Sequence, residues 1–229
     1  MTLSVCVSDE PFLPFTDPHH DGESQKRIRL ATERQGWQMA FVALPWRRCL
    51  AGVERGIYDA IAGLAATPEY QRFMAYPQQA GRLDQTWALG VTRLVVYRSV
   101  GGAAGWDGQH FSELDRPVLH LSGRATLRVL LEHVGVEAED SARTSSQLAQ
   151  MLLKGRGSLA IDHDYEVTRL ATLPEFQGRL EVLPTPLGEA SIYLAVGWHL
   201  YERHHQVIES IWDEFGALQR AAGSSSRPY

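Results

Sequence analysis

The chain has 229 residues, of which 44% are hydrophobic, and its formal net charge is −5. This length accommodates one large domain or two small ones, and the apolar share is ordinary for a globular protein. The net charge is negative, so the chain lacks the basic character that is typical of nucleic-acid-binding proteins. No run approaches the roughly 18 consecutive apolar residues of a membrane helix. Composition therefore argues against a nucleic-acid-binding protein and against direct membrane insertion.

Strand and helix signals alternate through the first third of the chain. The sequence predicts strands at 3–8, 37–44 and 58–64, helices at 24–35 and 46–54, and a Pro-rich loop at 10–22. Pro45 favours the start of the second helix and Gly56 its end, while Thr67 is a candidate cap for a short helix that starts at Pro68. This alternation indicates βαβ units and a mostly parallel sheet.

A second α/β cycle follows a long extended segment at 83–100 and a Gly-rich loop at 101–108. We predict strands at 117–121, 159–161, 180–183 and 191–196, and helices at 124–133, 144–153, 165–173 and 200–222. The Ser-rich tail at 223–229 is predicted to be disordered.

The stretch 44–77, LPWRRCLAGVERGIYDAIAGLAATPEYQRFMAYP, carries a recognisable motif. It resembles the family 3 extracellular solute-binding proteins, which are the periplasmic receptors of polar amino-acid ABC importers. The matching positions are Pro45, Trp46, Arg48, Gly56, Asp59, Ala60, Thr67, Pro68, Glu69, Tyr76 and Pro77. The family's Arg after Thr-Pro-Glu is replaced by Tyr70, which cannot form two parallel hydrogen bonds to a carboxylate.

The resemblance implies an α/β, two-lobed, type II periplasmic-binding-protein-like fold, with a ligand cleft between two mostly parallel sheets flanked by helices. It places 1–88 and 187–229 in the first lobe and 89–186 in the second, with hinge crossings near Leu89 and Pro186. It also implies a periplasmic monomer without a cofactor. If the protein is exported, its signal peptide is expected to have been removed, because no charged-then-apolar segment follows Met1, and a cytoplasmic protein stays an open alternative.

Ligands of open α/β sheets bind beyond the carboxyl ends of the strands. In the first lobe this rule and the resemblance together select a set of candidate ligand-binding residues: Phe12, Phe15, Trp46, Ala65, Ala66, Thr67 and Tyr70. The aromatic members equally suit a packing role. Arg72 is expected to be a solvated surface charge.

In the second lobe, Ser122, Gly123 and Arg124 form a turn at a helix start, which suits anion capture, although a solvent-facing position is the more common one for a residue such as Arg124. After the strand at 159–161, the resemblance makes Asp162 the first choice for binding a ligand ammonium and Asp164 the second. Capping of the helix that follows is an equal alternative for these acids.

Other reactive residues give weaker signals. Cys6 and Cys49 lack metal-ligand spacing and are interpreted as two small buried hydrophobes, with a disulfide only if the fold brings them together. The pairs His19–His20 and His204–His205 offer one metal ligand each at most, because adjacent side chains diverge. They are expected to be solvated.

Three functions stay open at this stage. The favoured one is a receptor that closes on a small amino-acid-like, aromatic or organic-acid ligand and is read by a membrane permease or a sensor kinase. The second is an enzyme on the same scaffold, resembling cyclohexadienyl dehydratases, with Glu10, Asp162 or Glu189 as general acid. The third is the effector-binding domain of a regulator.

Overall fold

The computed structural model describes residues 1–225, apart from the side chains of residues 125–126 and 219–225. The helices and strands follow in chain order as β1 (Thr2–Ser8), α1 (Glu23–Arg34), β2 (Gln38–Leu44), α2 (Trp46–Glu54), β3 (Ala60–Ala65), α3 (Pro68–Gln71), β4 (Met74–Ala75), β5 (Gln78–Gln79), β6 (Arg82–Leu83), a 3₁₀ turn (Gln85–Trp87), β7 (Gly90–Ser99), β8 (Gly105–Trp106), β9 (Phe111–Ser112), β10 (Val118–Leu121), α4 (Ala125–His133), β11 (Ala138–Ala142), α5 (Ser145–Leu153), β12 (Leu159–His163), α6 (Asp164–Ala171), β13 (Leu180–Val182), β14 (Gly188–Gly197) and α7 (Trp198–Ser225).

The chain divides into two compact units. Unit 1 comprises Met1–Val91 and Ser191–Tyr229, and unit 2 comprises Thr92–Ala190. Strands β7 and β14 each contain one of the two crossings between units. Within residues 1–225, no helix combines the length and the apolarity that crossing a bilayer requires. The final residues of the predicted tail, 226–229, lie outside the described residues.

Unit 1 is built on a sheet in which β1 pairs in parallel with both β2 and β3, and β14 pairs antiparallel to β3. The β1–β2 register runs from Thr2 opposite Gln38 to Ser8 opposite Leu44. Helices α1 and α7 cover one face and bury Ile28, Trp212 and Phe215 against the strands. The strands end on the same edge because they are parallel, and this edge holds the unit 1 candidates.

Unit 2 repeats the plan, with β10 parallel to β11 and β12, and β7 antiparallel to β12. Strand β7 alternates its side chains between two cores, as the period of a strand requires. Val95 and Tyr97 pack with α5 and α6, whereas Leu94 and Val96 pack with α4. Both faces of this sheet are therefore covered.

In the stretch 44–77, the helix bounds and the capping residue are as predicted. Helix α2 spans Trp46–Glu54, and Gly56 adopts φ 70° just beyond it. Thr67 caps α3 by accepting a hydrogen bond from the backbone N–H of Tyr70 at 3.2 Å.

Several features differ from the sequence prediction. The segment 83–100, predicted as extended, contains the 3₁₀ turn Gln85–Trp87. Strand β11, with the sequence AEDSA, was missed because its residues are mostly polar and it lies at the edge of its sheet. Strand β8 lies within the Gly-rich loop and pairs with β9, which follows that loop. Helix α7 is broken at His204, whose φ of −139° is not helical.

The interpretation of the two cysteines as separate buried hydrophobes was wrong. Cys6 and Cys49 form a disulfide, with their Cα atoms 5.5 Å apart. The parallel register places Cys6 in the middle of β1, and α2 packs back onto that strand. Sequence could not show this approach, because it depends on how the helix returns across the sheet.

Candidate functional site

The unit 1 candidates follow the carboxyl ends of three parallel strands. The ends of β1 and β2 are joined by a hydrogen bond from the backbone N–H of Asp9 to the carbonyl of Leu44, at 3.0 Å. The loop after β1 then carries Phe12 and Phe15, β2 leads directly into Trp46, and β3 leads into Ala65, Ala66 and Thr67.

Phe12 and Phe15 pack within unit 1. Phe12 is buried in the unit 1 core, and its ring lies against Gly63 of β3. The Phe15 ring lies 5.2 Å from that of Phe12 and packs against Gly90. This geometry gives Phe12 a packing role and leaves Phe15 half-buried.

Trp46 is the first residue of α2 and is half-buried. The Thr67 side chain is buried and caps α3. The Ala65 carbonyl accepts a hydrogen bond from the Tyr76 hydroxyl at 3.2 Å. The Thr67 hydroxyl and the Ala65 carbonyl, both at this edge, are thus already engaged in internal hydrogen bonds.

Tyr70 is buried, and its ring packs edge-on against Phe73. Burial raises the pKa of Tyr76 well above its usual value, and the nearby Tyr70 adds to that rise. The Tyr76 phenol therefore remains neutral near physiological pH. Arg72 is exposed, as expected of a surface charge.

In unit 2, the carboxyl ends of β10, β11 and β12 come together. The backbone N–H of Ser122 donates to the carbonyl of Ala142 at 2.9 Å, which joins the first two ends. Gly123 adopts φ 77°, a left-handed conformation that favours glycine. Arg124 follows as the N-cap residue of α4, and it is half-buried.

Asp162 lies near the carboxyl end of β12, at this edge, and is only 2% exposed. Its Oδ1 accepts a hydrogen bond from the backbone N–H of His163 at 2.8 Å, and Ser145 donates a second hydrogen bond to the carboxylate. Its Oδ2 is buried and has no hydrogen-bond partner among the described residues.

Burial raises the pKa of Asp162 to about 6, and the negative charge of Glu166 adds to the rise. The hydrogen bonds from Ser145 and His163 and the positive charge of Arg124 act in the opposite direction. The structure thus brings Arg124 and Asp162, which are 38 positions apart in the numbering, into electrostatic contact.

His163, the residue after Asp162, is also buried at this edge. Its Nδ1 lies 2.6 Å from the hydroxyl of Thr92, the first residue of unit 2. Burial, with a smaller contribution from Arg124, lowers the pKa of His163 well below its usual value, so the imidazole is neutral. Asp164, the second choice for an ammonium ligand, is instead half-buried in the first turn of α6.

The two other acids proposed as general acids differ from Asp162 in their exposure to solvent. Glu10 is exposed, and Glu189 is exposed with Arg93 at 3.3 Å. Of the three, only Asp162 has the buried setting that raises a carboxyl pKa.

One residue of the family motif is structural in this fold. Asp59 accepts hydrogen bonds from the backbone N–H of Ser4 at 2.8 Å and from its hydroxyl at 2.6 Å. It therefore fixes the start of β3 against β1, at the opposite edge from the candidates.

The paired histidines do not form a metal cluster. Within the described part of the chain, no group of three or more His, Cys, Asp or Glu side chains could hold a metal ion. His19 and His20 are exposed. His204, by contrast, is half-buried and packs edge-on against Trp37, with the ring centroids 5.2 Å apart.

Sequence reasoning missed the residues that surround Asp162, which are Ser145, Tyr97, Glu166 and His163. Ser145 is the first residue of α5, and Thr144 caps that helix by accepting a hydrogen bond from the backbone N–H of Gln147 at 3.1 Å. Tyr97 lies within the segment 83–100, for which the sequence predicted only an extended conformation. Tyr97 and Asp162 lie on the same face of the sheet because of the register between β7 and β12. The periodicity of each strand alone does not determine that register.

No family model matches the sequence, and no curated protein sequence matches it. Solved structures do match. The ligand-binding core of GluR0 from Nostoc punctiforme, in complex with L-glutamate, has a TM-score of 0.70 at 14% identity and covers 98% of this chain and 96% of its own.

A histidine kinase sensor domain with similarity to periplasmic binding proteins has a TM-score of 0.70 at 14% identity, covering 97% of this chain and 92% of its own. The substrate-binding protein of an amino-acid ABC transporter has a TM-score of 0.70 at 11% identity, covering 97% and 95%. The chain therefore has the two-lobed periplasmic-binding-protein-like fold, as predicted. Binding proteins and sensor domains share this fold. At such low sequence identities the fold does not determine the function, which has to be argued from the residues of the site.

Proposed function

We propose that this chain is an extracytoplasmic ligand-binding domain that captures a small polar molecule, of which amino acids and their relatives are the first class to test. The observation that carries the proposal is the Asp162 carboxylate, which is almost fully buried and has one oxygen without a hydrogen-bond partner among the described residues.

A buried carboxylate oxygen without a partner is costly, by about 1–3 kcal/mol or more for a charged group. A cationic group of a ligand would remove that cost by supplying both a hydrogen bond and a positive charge. The local structure retains a costly feature that ligand binding would relieve, which is typical of a binding site.

Arg124 supplies the complementary charge. It lies close enough to Asp162 to lower that residue's pKa, and it begins α4 beyond a glycine turn. A ligand that carries an anionic and a cationic group would match this pair. Because Tyr70 occupies the position where the family has Arg, we assign carboxylate recognition to Arg124 in unit 2.

The disulfide supports a location outside the cytoplasm, since such bonds persist in oxidising compartments. In this proposal the ligand favours a closed arrangement of the two units and raises its population. The closed form is then read by a membrane permease or by a sensor kinase. The structural neighbours include both transporter and sensor domains.

A thermal-shift screen over amino acids, amines, organic acids and aromatic metabolites tests this function, because a ligand that binds only the folded form raises the melting temperature. We expect at least one compound to stabilise the wild type and Asp164→Asn, and to lose its effect on Asp162→Asn. Asp164 is the matched control, being an acid two positions away in the first turn of α6. If no compound stabilises the wild type, the proposal is wrong.

The second candidate is an enzyme in which Asp162 acts as a general acid. The supporting observation is its pKa of about 6, which lies near the operating pH of many such acids. Incubation with prephenate or arogenate, followed by chromatography of the products, separates the two functions. A dehydratase forms product, and Asp162→Asn abolishes it; a receptor leaves both compounds unchanged.

A further inference from the structure

Strand β2 lies at the edge of the unit 1 sheet, so only one of its two sides is paired. That side bonds in parallel to β1 along the whole length of the strand. Among residues 1–225, no further strand pairs with the other side of β2, which we call the open edge. An open edge can accept another strand, because its backbone N–H and C=O groups have no partner in the sheet.

Two backbone hydrogen bonds show which residues of β2 bond to β1. The N–H of Gln38 donates to the carbonyl of Met1 at 2.9 Å, and the N–H of Asp9 donates to the carbonyl of Leu44 at 3.0 Å. Successive residues of a strand direct their backbone groups to opposite sides, so alternate residues bond to the same neighbour. The even-numbered residues of β2 therefore bond to β1, and the odd-numbered residues do not.

Three residues, Met39, Phe41 and Ala43, thus present their N–H and C=O groups to the open edge. They are spaced evenly about Phe41, so two copies of β2 can pair antiparallel around a two-fold axis at that residue. Phe41 then lies opposite its own copy and Met39 lies opposite Ala43, and each pair exchanges two hydrogen bonds. In this register every backbone group on the open edge gains a partner.

The side chains of β2 do not oppose such a pairing. The sequence of the strand, QMAFVAL, contains no charged residue and no proline, and these are common means by which proteins protect an edge. The edge strand of unit 2 is different, since β11 carries Glu139 and Asp140. Two copies of β2 would therefore meet without opposing like charges, although the whole chain has a net charge of −5.

The surroundings of Phe41 are also compatible with a two-fold axis at this residue. Phe41 is half-buried and packs against the unit 1 core. The guanidinium of Arg29 lies over its ring, 5.3 Å from the centroid, and Asp21 pairs with Arg29 at 2.8 Å. The charge next to the axis is thus already balanced within each copy, and contact between the two rings adds aromatic packing to the hydrogen bonds.

We propose that this protein forms a two-fold symmetric dimer through β2, in which the unit 1 sheets of two copies join edge to edge. The partner is a second copy because the strand is complementary to itself in its hydrogen-bonding pattern and in its lack of charge. A two-fold contact uses the same surface of both copies, so assembly stops at the dimer. This differs from the monomer that the sequence resemblance implies, and it does not depend on the ligand.

The first test measures the mass of the whole protein without ligand by sedimentation equilibrium, from micromolar to millimolar concentration. We expect the mass to rise from 25.6 kDa toward twice that value. Ala43→Pro removes an N–H from the open edge and leaves the hydrogen bonds to β1 intact. It should weaken dimer formation at least tenfold and keep the melting temperature of the dilute wild type.

Ala138→Pro is the matched control. Ala138 is also an exposed alanine on an edge strand, β11. Its N–H points away from β10, because the carbonyl of the preceding Glu137 accepts from the N–H of Val118 at 2.9 Å. This variant should dimerise as the wild type does. Equal dimerisation of Ala43→Pro and Ala138→Pro overturns the inference. So does a wild type that stays monomeric at every concentration, which would leave the open edge to an extended segment of another protein.

A second test measures the register. With Phe41 on the axis, the two Cα atoms at this position lie about 5.5 Å apart, a spacing that a disulfide can bridge. Phe41→Cys should therefore form a covalent dimer on a non-reducing gel after oxidation with diamide. Met39→Cys is the control, because in this register it faces Ala43 of the other copy. Absence of the Phe41→Cys crosslink, or equal crosslinking of the two variants, overturns the inference.

Discussion

Cys6 of β1 and Cys49 of α2 are joined by a disulfide in the interior of unit 1, where both residues are fully buried. The bond spans a sequence separation of 43 residues that includes α1 and β2. It also anchors α2 one turn after Trp46, which shares a face of the helix with Cys49. The bond thereby links the fold of unit 1 to the placement of a candidate ligand contact.

Removing this bond should destabilise the protein. For a loop of this length the chain-entropy model gives about 4 kcal/mol, so we expect Cys6→Ala with Cys49→Ala to lower the free energy of unfolding by roughly that amount. Urea denaturation with and without reductant measures it. Reductant should affect the wild type and not the double variant, and an unchanged unfolding midpoint in the double variant would contradict the assignment.

Asp162 should give the stability an identifiable pH dependence. Its pKa is raised in the folded state, to about 6 from 3.8, so the native state binds more protons than the unfolded state between these values. Its contribution to stability therefore falls as pH rises from about 4 to 6. The full effect is about 3 kcal/mol, from 1.36 kcal/mol per pKa unit.

The difference between wild type and Asp162→Asn isolates this contribution, because His163 and His120, whose pKa values are lowered by burial, titrate in both proteins. We expect the variant to gain stability relative to the wild type as pH rises from 4 to 6.5, measured by urea denaturation. A difference that is independent of pH would show that Asp162 is not buried as described.

Gly123 should be sensitive to substitution because its φ of 77° is strained for other residues. Gly123→Ala is expected to cost about 1–2 kcal/mol and to weaken ligand binding by shifting the turn that carries Arg124. Gly188→Ala is the matched control, since a Cβ at that position meets nothing within 4 Å. Equal unfolding midpoints for the two variants would mean that the turn tolerates a side chain.

Trp212 and Trp198 allow a matched test of burial. The indole N–H of each donates to a backbone carbonyl at 3.0 Å, Leu194 for the first and Gln71 for the second. Trp212 is 1% exposed and Trp198 is 39% exposed. Trp212→Phe removes a buried hydrogen bond, at a cost of about 1–2 kcal/mol, whereas water replaces the donor in Trp198→Phe. Thermal unfolding should show the larger loss for position 212.

The sequence predicted most of the fold because its local signals agree with one another. The helix at 46–54, the turn at Gly56 and the cap at Thr67 were read from residue type alone, and the structure has them. Strand β11 could not be predicted, since a polar edge strand has no apolar alternation to recognise. The break in α7 at His204 could not be predicted either, because no Pro or Gly lies next to it.

The candidate site was less predictable, for a geometric reason. Asp162 and Arg124 were selected because each follows a strand, and strand order determines which ends meet. The depth of Asp162, its contact with Ser145 and its shared face with Tyr97 depend on register across β7 and β12. A register shift of one residue would turn Asp162 to the other face, so sequence alone could not choose.

Titration calorimetry with the most stabilising compound from the screen tests the central claim, that Asp162 and Arg124 hold a small charged ligand. We predict saturable binding of one molecule per chain to the wild type and to Asp164→Asn. Asp162→Asn and Arg124→Met should each lose at least tenfold in affinity, since a hydrogen bond to a charged group is worth about 1.5–3 kcal/mol. Unchanged affinity in both of these variants would contradict the account.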